Sequence, residues 1–197
     1  MPRSGAEARR RLQQAALELY RERGFDQTTT AEIAARAGLN ERTYFRHFAD
    51  KREVLFDGQA ELRDTLVHEI AAAPDAQPLE LLLHAFLKAK HILEDNRDFS
   101  EPRCAVIAAT PALRERELAK AATLTEAVAG ALRLRGVPDR LADLAAQAGW
   151  AAFQQAAGAW IDDPTQTLDA YLRRAFDDLC TLSAAAPQDR DHDRAGA

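Results

Sequence analysis

The sequence predicts an all-α protein: a three-helix N-terminal unit of the helix-turn-helix type, followed by a larger helical domain. Three observations carry that prediction. Leu and Ala dominate the composition while the β-branched residues are scarce, the pattern of a helical chain. Apolar residues recur at three- and four-residue spacing nearly throughout. Glycines and prolines fall mostly at punctuation points between the periodic stretches.

The first helix carries Leu12, Ala15, Ala16 and Leu19 on one face and Arg9, Arg10, Gln13 and Arg21 off it, and Gly24 ends it. Thr29 to Glu32 is a capping box, a hydroxyl at the cap and a carboxylate three residues on, which opens a short helix with Ile33, Ala34 and Ala37 facing inward. Gly38 stops it, and Asn40 caps the next, Glu41 to about Phe48. Asp50 to Glu53 repeats the box and predicts a long helix from Lys51 through Val54, Leu55, Leu62, Leu66 and Ile70. After Pro74 and Pro78, one amphipathic helix runs from Leu79 to Leu93. A looser stretch follows from Asp95 to Pro111. Three more helices are predicted over about Leu113–Arg135, Asp139–Ile161 and Thr165–Ser183. The small, polar residues 185–197 predict a disordered tail. The domain boundaries expected are therefore 1–50, 51–184 and 185–197.

The chain has 197 residues, 47% of them hydrophobic, enough for a substantial core. The net charge of −5 is unevenly spread: residues 1–52 carry 11 Lys/Arg against 7 Asp/Glu, and the remainder carries 15 against 24. A basic head on an acidic body is the modest footprint of a polyanion-binding unit. Cys104 and Cys180 are too few for a disulfide framework, which predicts reduced thiols inside a cell. The charged start runs straight into a helical pattern, unlike a signal peptide, and no apolar run approaches the roughly 18 residues that span a bilayer. A cytoplasmic protein is expected.

Two short helices joined by a tight glycine turn form a helix-turn-helix when the second can enter the major groove. Tyr44 and Phe48 point inward, which leaves Glu41, Arg42, Arg46 and His47 outside. The first turn, Glu41-Arg42-Thr43, is placed to reach base edges: Arg42 suits a guanine and Glu41 a cytosine amino group. Thr30, Thr43, His47 and Lys51 are candidates for phosphate contacts, which fix register without reading sequence.

Residues Gly24 to Phe56 closely resemble the DNA-binding domain of TetR-family transcriptional regulators. The matched positions are Gly24-Phe25, the threonines at 28–30, Ile33-Ala34, Ala37-Gly38, Thr43-Tyr44-Phe45-Arg46-His47-Phe48 and Lys51. One departure stands out. Where the family often has a tyrosine that touches the DNA backbone, this chain has Phe45, whose role there must be apolar, such as contact with a thymine methyl. The resemblance implies a repressor that binds a palindromic double-stranded operator as a homodimer and is released by a small effector bound in the C-terminal domain.

The residues permit that independently. On the last helix Leu168, Leu172, Ala175 and Leu179 repeat as a seam for a partner helix, and on the preceding one Ala145, Gly149, Ala152 and Ala156 form a small-residue face. Together they fit a two-fold four-helix interface, or packing within the chain. Trp150, Phe153, Gln154 and Trp160 form a second stripe, with Phe86, Phe99 and Cys104 as further candidates; the stripe fits either an apolar effector pocket with one orienting amide or a filled core. No catalytic constellation or metal-spaced cluster lies in a helical segment; Asp191-His192-Asp193 falls in the tail. Neither an enzyme nor a cofactor is expected, and a helical adaptor that keeps the head as scaffold is the other reading.

Overall fold

The computed structural model describes residues 3–163 and 165–184; the tail expected at 185–197, with Asp191-His192-Asp193, lies outside them. Among the described residues ten α-helices follow one another: α1 (Arg3–Arg23), α2 (Thr30–Arg36), α3 (Glu41–His47), α4 (Gln59–Ala72), α5 (Pro78–Ala89), α6 (His91–Glu94), α7 (Arg97–Ala109), α8 (Pro111–Leu134), α9 (Asp139–Asp162) and α10 (Leu168–Ala184). A single 3-10 turn, Glu53–Phe56, stands between α3 and α4. No strand occurs among the described residues.

The caps form as the sequence dictates. Thr29 accepts from the Glu32 amide and the Glu32 carboxylate accepts from the Thr29 amide, so two otherwise orphaned donors are satisfied. Asn40 Oδ1 accepts from the Thr43 amide at 2.8 Å. Between these helices Gly38 has φ +65, and a Cβ there would sit 2.6 Å from the Arg11 guanidinium, which donates to the Ala37 carbonyl.

Two apolar clusters result. The head cluster joins Leu12, Ala16 and Leu19 of α1 to Ile33 of α2 and to Tyr44 and Phe48 of the α3 region. It runs on past residue 50 to Val54, Leu55 and Phe56, and it takes in Val106 and Ile107 from α7 and Leu113 from α8. The body cluster packs α4, α5, α8, α9 and α10, with Leu66, Ile70, Leu82, Phe86, Phe153, Leu168 and Phe176 at its centre. Gly149 is what brings α9 against α5: a Cβ there would lie 2.7 Å from Leu82 Cδ1, itself buried. Gly149→Val is therefore expected to cost about 3 kcal/mol in urea unfolding through overpacking. Gly130→Ala, on α8 with open space around it, should be neutral or slightly stabilising.

Three segments differ from expectation, the first being the helix predicted over Leu79–Leu93, which is divided at Lys90 into α5 and α6. The long helix predicted from Lys51 to Ile70 is interrupted. Asp50 Oδ1 does accept from the Arg52 and Glu53 amides, at 2.7 and 3.2 Å, but Glu53 turns away from the box toward Arg116 and Lys120. The 3-10 turn then gives way to Asp57 in extended conformation and Gly58 at φ +89, and α4 starts afresh. Conversely, the stretch read as loose, Asp95 to Pro111, is mostly α7, which accommodates Pro102 in its second turn because Val106 and Ile107 bury themselves in the head cluster.

Head and body meet at a polar joint. Arg103 of α7 donates through Nε to the Leu55 carbonyl at 2.5 Å, with its guanidinium 5.2 Å over the Phe56 ring. Glu53 pairs with Arg116 at 2.5 Å and Lys120 at 2.9 Å, both on α8.

Candidate nucleic-acid interface

The third helix divides cleanly between core and solvent. Tyr44 is fully buried and donates through its hydroxyl to the Asp50 carbonyl at 3.0 Å, and Phe48 is 4% exposed. Glu41, Arg42, Phe45 and Arg46 are exposed, Phe45 to 53%. Its ring packs edge-on to Tyr44 with centroids 5.6 Å apart. Neither Arg42 nor Arg46 has a hydrogen-bond or ion-pair partner among the described residues. The helix therefore offers two guanidiniums, one carboxylate and one ring to whatever lies in front of it.

The four residues expected at phosphates are disposed differently. Thr30 donates its hydroxyl to Glu41 Oε1 at 2.5 Å, and Thr43 donates to Asn40 Oδ1 at 3.0 Å. His47 is half-buried with Nε2 enclosed and unpartnered; burial, then Arg46 and Arg9, push its pKa below the ordinary histidine value, so it stays neutral at pH 7. Lys51 is half-buried and folds back onto the backbone of the turn after α1. Its ammonium donates to the Phe25 and Thr28 carbonyls at 2.9 and 3.2 Å, approaches that of Asp26 at 3.5 Å, and lies 4.2 Å from the centre of the Phe25 ring. It ties the turn after α1 to the segment after α3. Spacing placed it near the reading helix but could not show that three carbonyls would already hold its three donors.

In the body, the aromatic stripe is packed closed. Phe86 stacks on Phe153 with centroids 4.5 Å apart, Trp150 stacks on the other side at 5.1 Å, and Trp160 is buried under the Arg97 guanidinium at 4.9 Å. Three expected pocket residues lie elsewhere: Gln154 and Cys104 are exposed, and Phe99 packs against the head cluster. A cleft of about 600 Å³ opens instead between head and body, bordered by Tyr20, Phe25, Val106 and Pro111 with Arg21 and Arg23 at its rim.

The seam residues expected at a dimer interface are largely used inside the chain. Leu168 and Leu172 are fully buried, and Ala152, Ala156 and Ala175 nearly so. Gly149 meets Leu82, while Ala145 and Leu179 are half-buried against the body cluster. A side chain already enclosed by its own chain cannot be covered by another. The outward stripe of α9 is a different one, Leu141, Leu144, Ala148, Ala151, Gln155 and Gly158 at 3-4-3-4-3 spacing, with Leu144 63% exposed.

An all-helical chain whose third helix presents a charged outer face from a three-helix head is, by fold, a helix-turn-helix protein. The sequence profile of bacterial regulatory proteins of the tetR family matches residues 12–57, and that of the MftR C-terminal domain matches residues 76–183. The chain belongs to the TetR family of transcriptional regulators. The regulator TcmR of Streptomyces glaucescens is 33% identical over 72 residues, 36% of this chain and 32% of TcmR. HbdR of Aromatoleum sp. (strain CIB) is 29% identical over 99 residues, 49% and 43% of the two chains. The match thus spans less than half the length of these curated relatives. Among solved structures, Thermus thermophilus FadR, a TetR-family repressor in complex with lauroyl-CoA, superposes with a TM-score of 0.55 at 26% identity, over 96% of this chain and all of that one. NalD of Pseudomonas aeruginosa, the secondary repressor of the MexAB-OprM efflux pump, shares the fold at 17% identity, with a TM-score of 0.57 over 89% and 96% of the chains. No helix among the described residues is long and apolar enough to cross a membrane.

Proposed function

We propose that this protein is a repressor that binds a palindromic operator as a homodimer in the cytoplasm and leaves it when a small apolar effector binds the body, with no catalytic step. The observation that carries this reading is the outer face of α3, where Arg42, Phe45 and Arg46 stand exposed while Tyr44 and Phe48 anchor the helix in the head. Arg42 is the residue proposed to reach a guanine, and Arg46 to hold a phosphate.

The dimer proposed uses the outward stripe of α9 with the exposed face of α10, and it places two heads on one side of the duplex about 34 Å or a multiple apart. An apolar effector would part the stack of Phe86, Phe153 and Trp150. Its grip on DNA binding is limited to its difference in affinity for the two head arrangements, typically 1–3 kcal/mol. The lauroyl-CoA of FadR supports an acyl-type ligand class.

The test is fluorescence anisotropy of the protein on duplexes from upstream of its own gene, against scrambled competitor at two salt concentrations. Specific, salt-sensitive binding by two chains per site is expected. Arg42→Ala should lose about tenfold in affinity and blur the preference over scrambled DNA. Equal binding to every duplex tried, those from a genome-wide selection included, would favour the adaptor reading instead.

A further inference from the structure

Thr30 and Glu41 stand at the first positions of α2 and α3, and their side chains meet across the turn at 2.5 Å. The threonine hydroxyl has one proton, and Glu41 holds it. Glu41 itself is exposed and has no cationic partner among the described residues, although the two arginines on its own helix are near in sequence. A carboxylate on a face that approaches a polyanion repels it wherever it meets phosphate. It is tolerated only where it finds a donor, and in the major groove the donors are the amino groups of cytosine and adenine. Adenine sets the N7 acceptor beside its amino group, which suits an amide and opposes a second carboxylate oxygen; cytosine offers a single donor. With one oxygen held by Thr30, Glu41 has one left to offer.

Phe45 lies one helical turn from Glu41, on the same stripe. Its ring is 53% exposed and is fixed edge-on by Tyr44. The apolar feature of the major groove that a ring can cover is the thymine methyl. A helical turn of about 5.4 Å spans one to two base steps of about 3.4 Å.

We infer that Glu41 and Phe45 form a base-reading pair that selects a cytosine with a thymine one or two steps away in each half-site, and that Thr30 is the positioning residue that aims the carboxylate rather than a phosphate anchor. The inference rests on the regulator reading of the same face, and it separates from it experimentally.

The experiment selects sites from a randomised duplex library with the purified full chain, in wild-type form and as Glu41→Ala, Thr30→Val and Phe45→Ala. The Glu41 and Phe45 sites are exposed, and circular dichroism with low-salt binding to non-specific duplex checks that each variant is folded. Wild type is expected to enrich a two-fold site with one such cytosine and thymine per half. Glu41→Ala should lose the cytosine preference, worth about tenfold per position. Thr30→Val should weaken that preference while keeping the carboxylate. On the selected site, replacing the thymine by deoxyuridine removes only the methyl: it should weaken wild type several-fold and leave Phe45→Ala indifferent. If wild type enriches no sequence, the regulator reading fails and takes the inference with it. If wild type enriches a site that Glu41→Ala and Phe45→Ala reproduce unchanged, the base-reading pair is wrong and the regulator stands. Full cytosine preference in Thr30→Val overturns the positioning role.

Discussion

Replacing Lys51 by alanine is expected to lower the unfolding free energy by about 3 kcal/mol and to leave the salt dependence of DNA binding unchanged. The ammonium gives charged hydrogen bonds to the Phe25 and Thr28 carbonyls and sits over the Phe25 ring. Hydrogen bonds to a charged group contribute about 1.5–3 kcal/mol each, less when they share one donor group, and a cation over a ring adds about 0.5–1 kcal/mol. Without the lysine these carbonyls open to water and the turn after α1 loses its tie to the segment that follows α3. Urea unfolding measures the loss. The salt titration distinguishes this from the surface role that its position in the sequence implies, because each phosphate contact removed should flatten the slope by about one. A flattened slope with unchanged stability would return Lys51 to the DNA surface.

Glu53→Gln is expected to loosen the head from the body, costing about 2 kcal/mol at pH 7. The carboxylate is enclosed with 18% of its side chain exposed and accepts from Arg116 and Lys120. Burial alone would raise its pKa, but the bonds from Arg116 and Lys120 outweigh burial and hold it below the usual glutamate value. A carboxyl group with a depressed folded pKa contributes stability that is fully present above its unfolded pKa and is lost as pH falls through the folded one. The difference between wild type and Glu53→Gln should therefore be largest near neutrality and vanish on acidification below the usual glutamate range. Unfolding curves at a series of pH values measure it. A difference that persists at the acid end would mean the variant perturbs packing rather than charge.

The head was largely legible in the chain because its signals are local. Gly24, the Thr29–Glu32 box, Gly38 and the Asn40 cap each act within four residues, and each does in the structure what its chemistry implies. The joint was not. Asp50 signals a helix start, but how far that helix runs depends on Glu53 reaching α8, more than sixty residues away, and on Gly58 taking a left-handed conformation. Pro102 reads locally as a breaker, while the burial of Val106 and Ile107 in the head outweighs one lost backbone bond. Heptad-like spacing on α10 says that Leu168 and Leu172 pack against a helix, not whose helix it is. The aromatic spacing on α9 is silent in the same way: Phe153 and Trp150 fill their own gaps by stacking.

The break at Gly58 also decides how this protein can be recombined with its relatives. An exchange of heads suggested by the sequence boundary at residue 50 would cut through the head cluster, stranding Val54, Leu55 and Phe56 with a foreign partner. A crossover at Gly58 keeps Val54, Leu55 and Phe56 with the head helices and falls where the backbone already changes course, and only Val106, Ile107 and Leu113 of that cluster then come from the recipient. Even then the transplanted unit carries half of two bridges, Glu53 and the Leu55 carbonyl, whose other halves are Arg116, Lys120 and Arg103 of the recipient. A chimera that supplies those three side chains keeps the polar joint between head and body; one that lacks them leaves the Glu53 carboxylate without its cations and the Leu55 carbonyl without its donor.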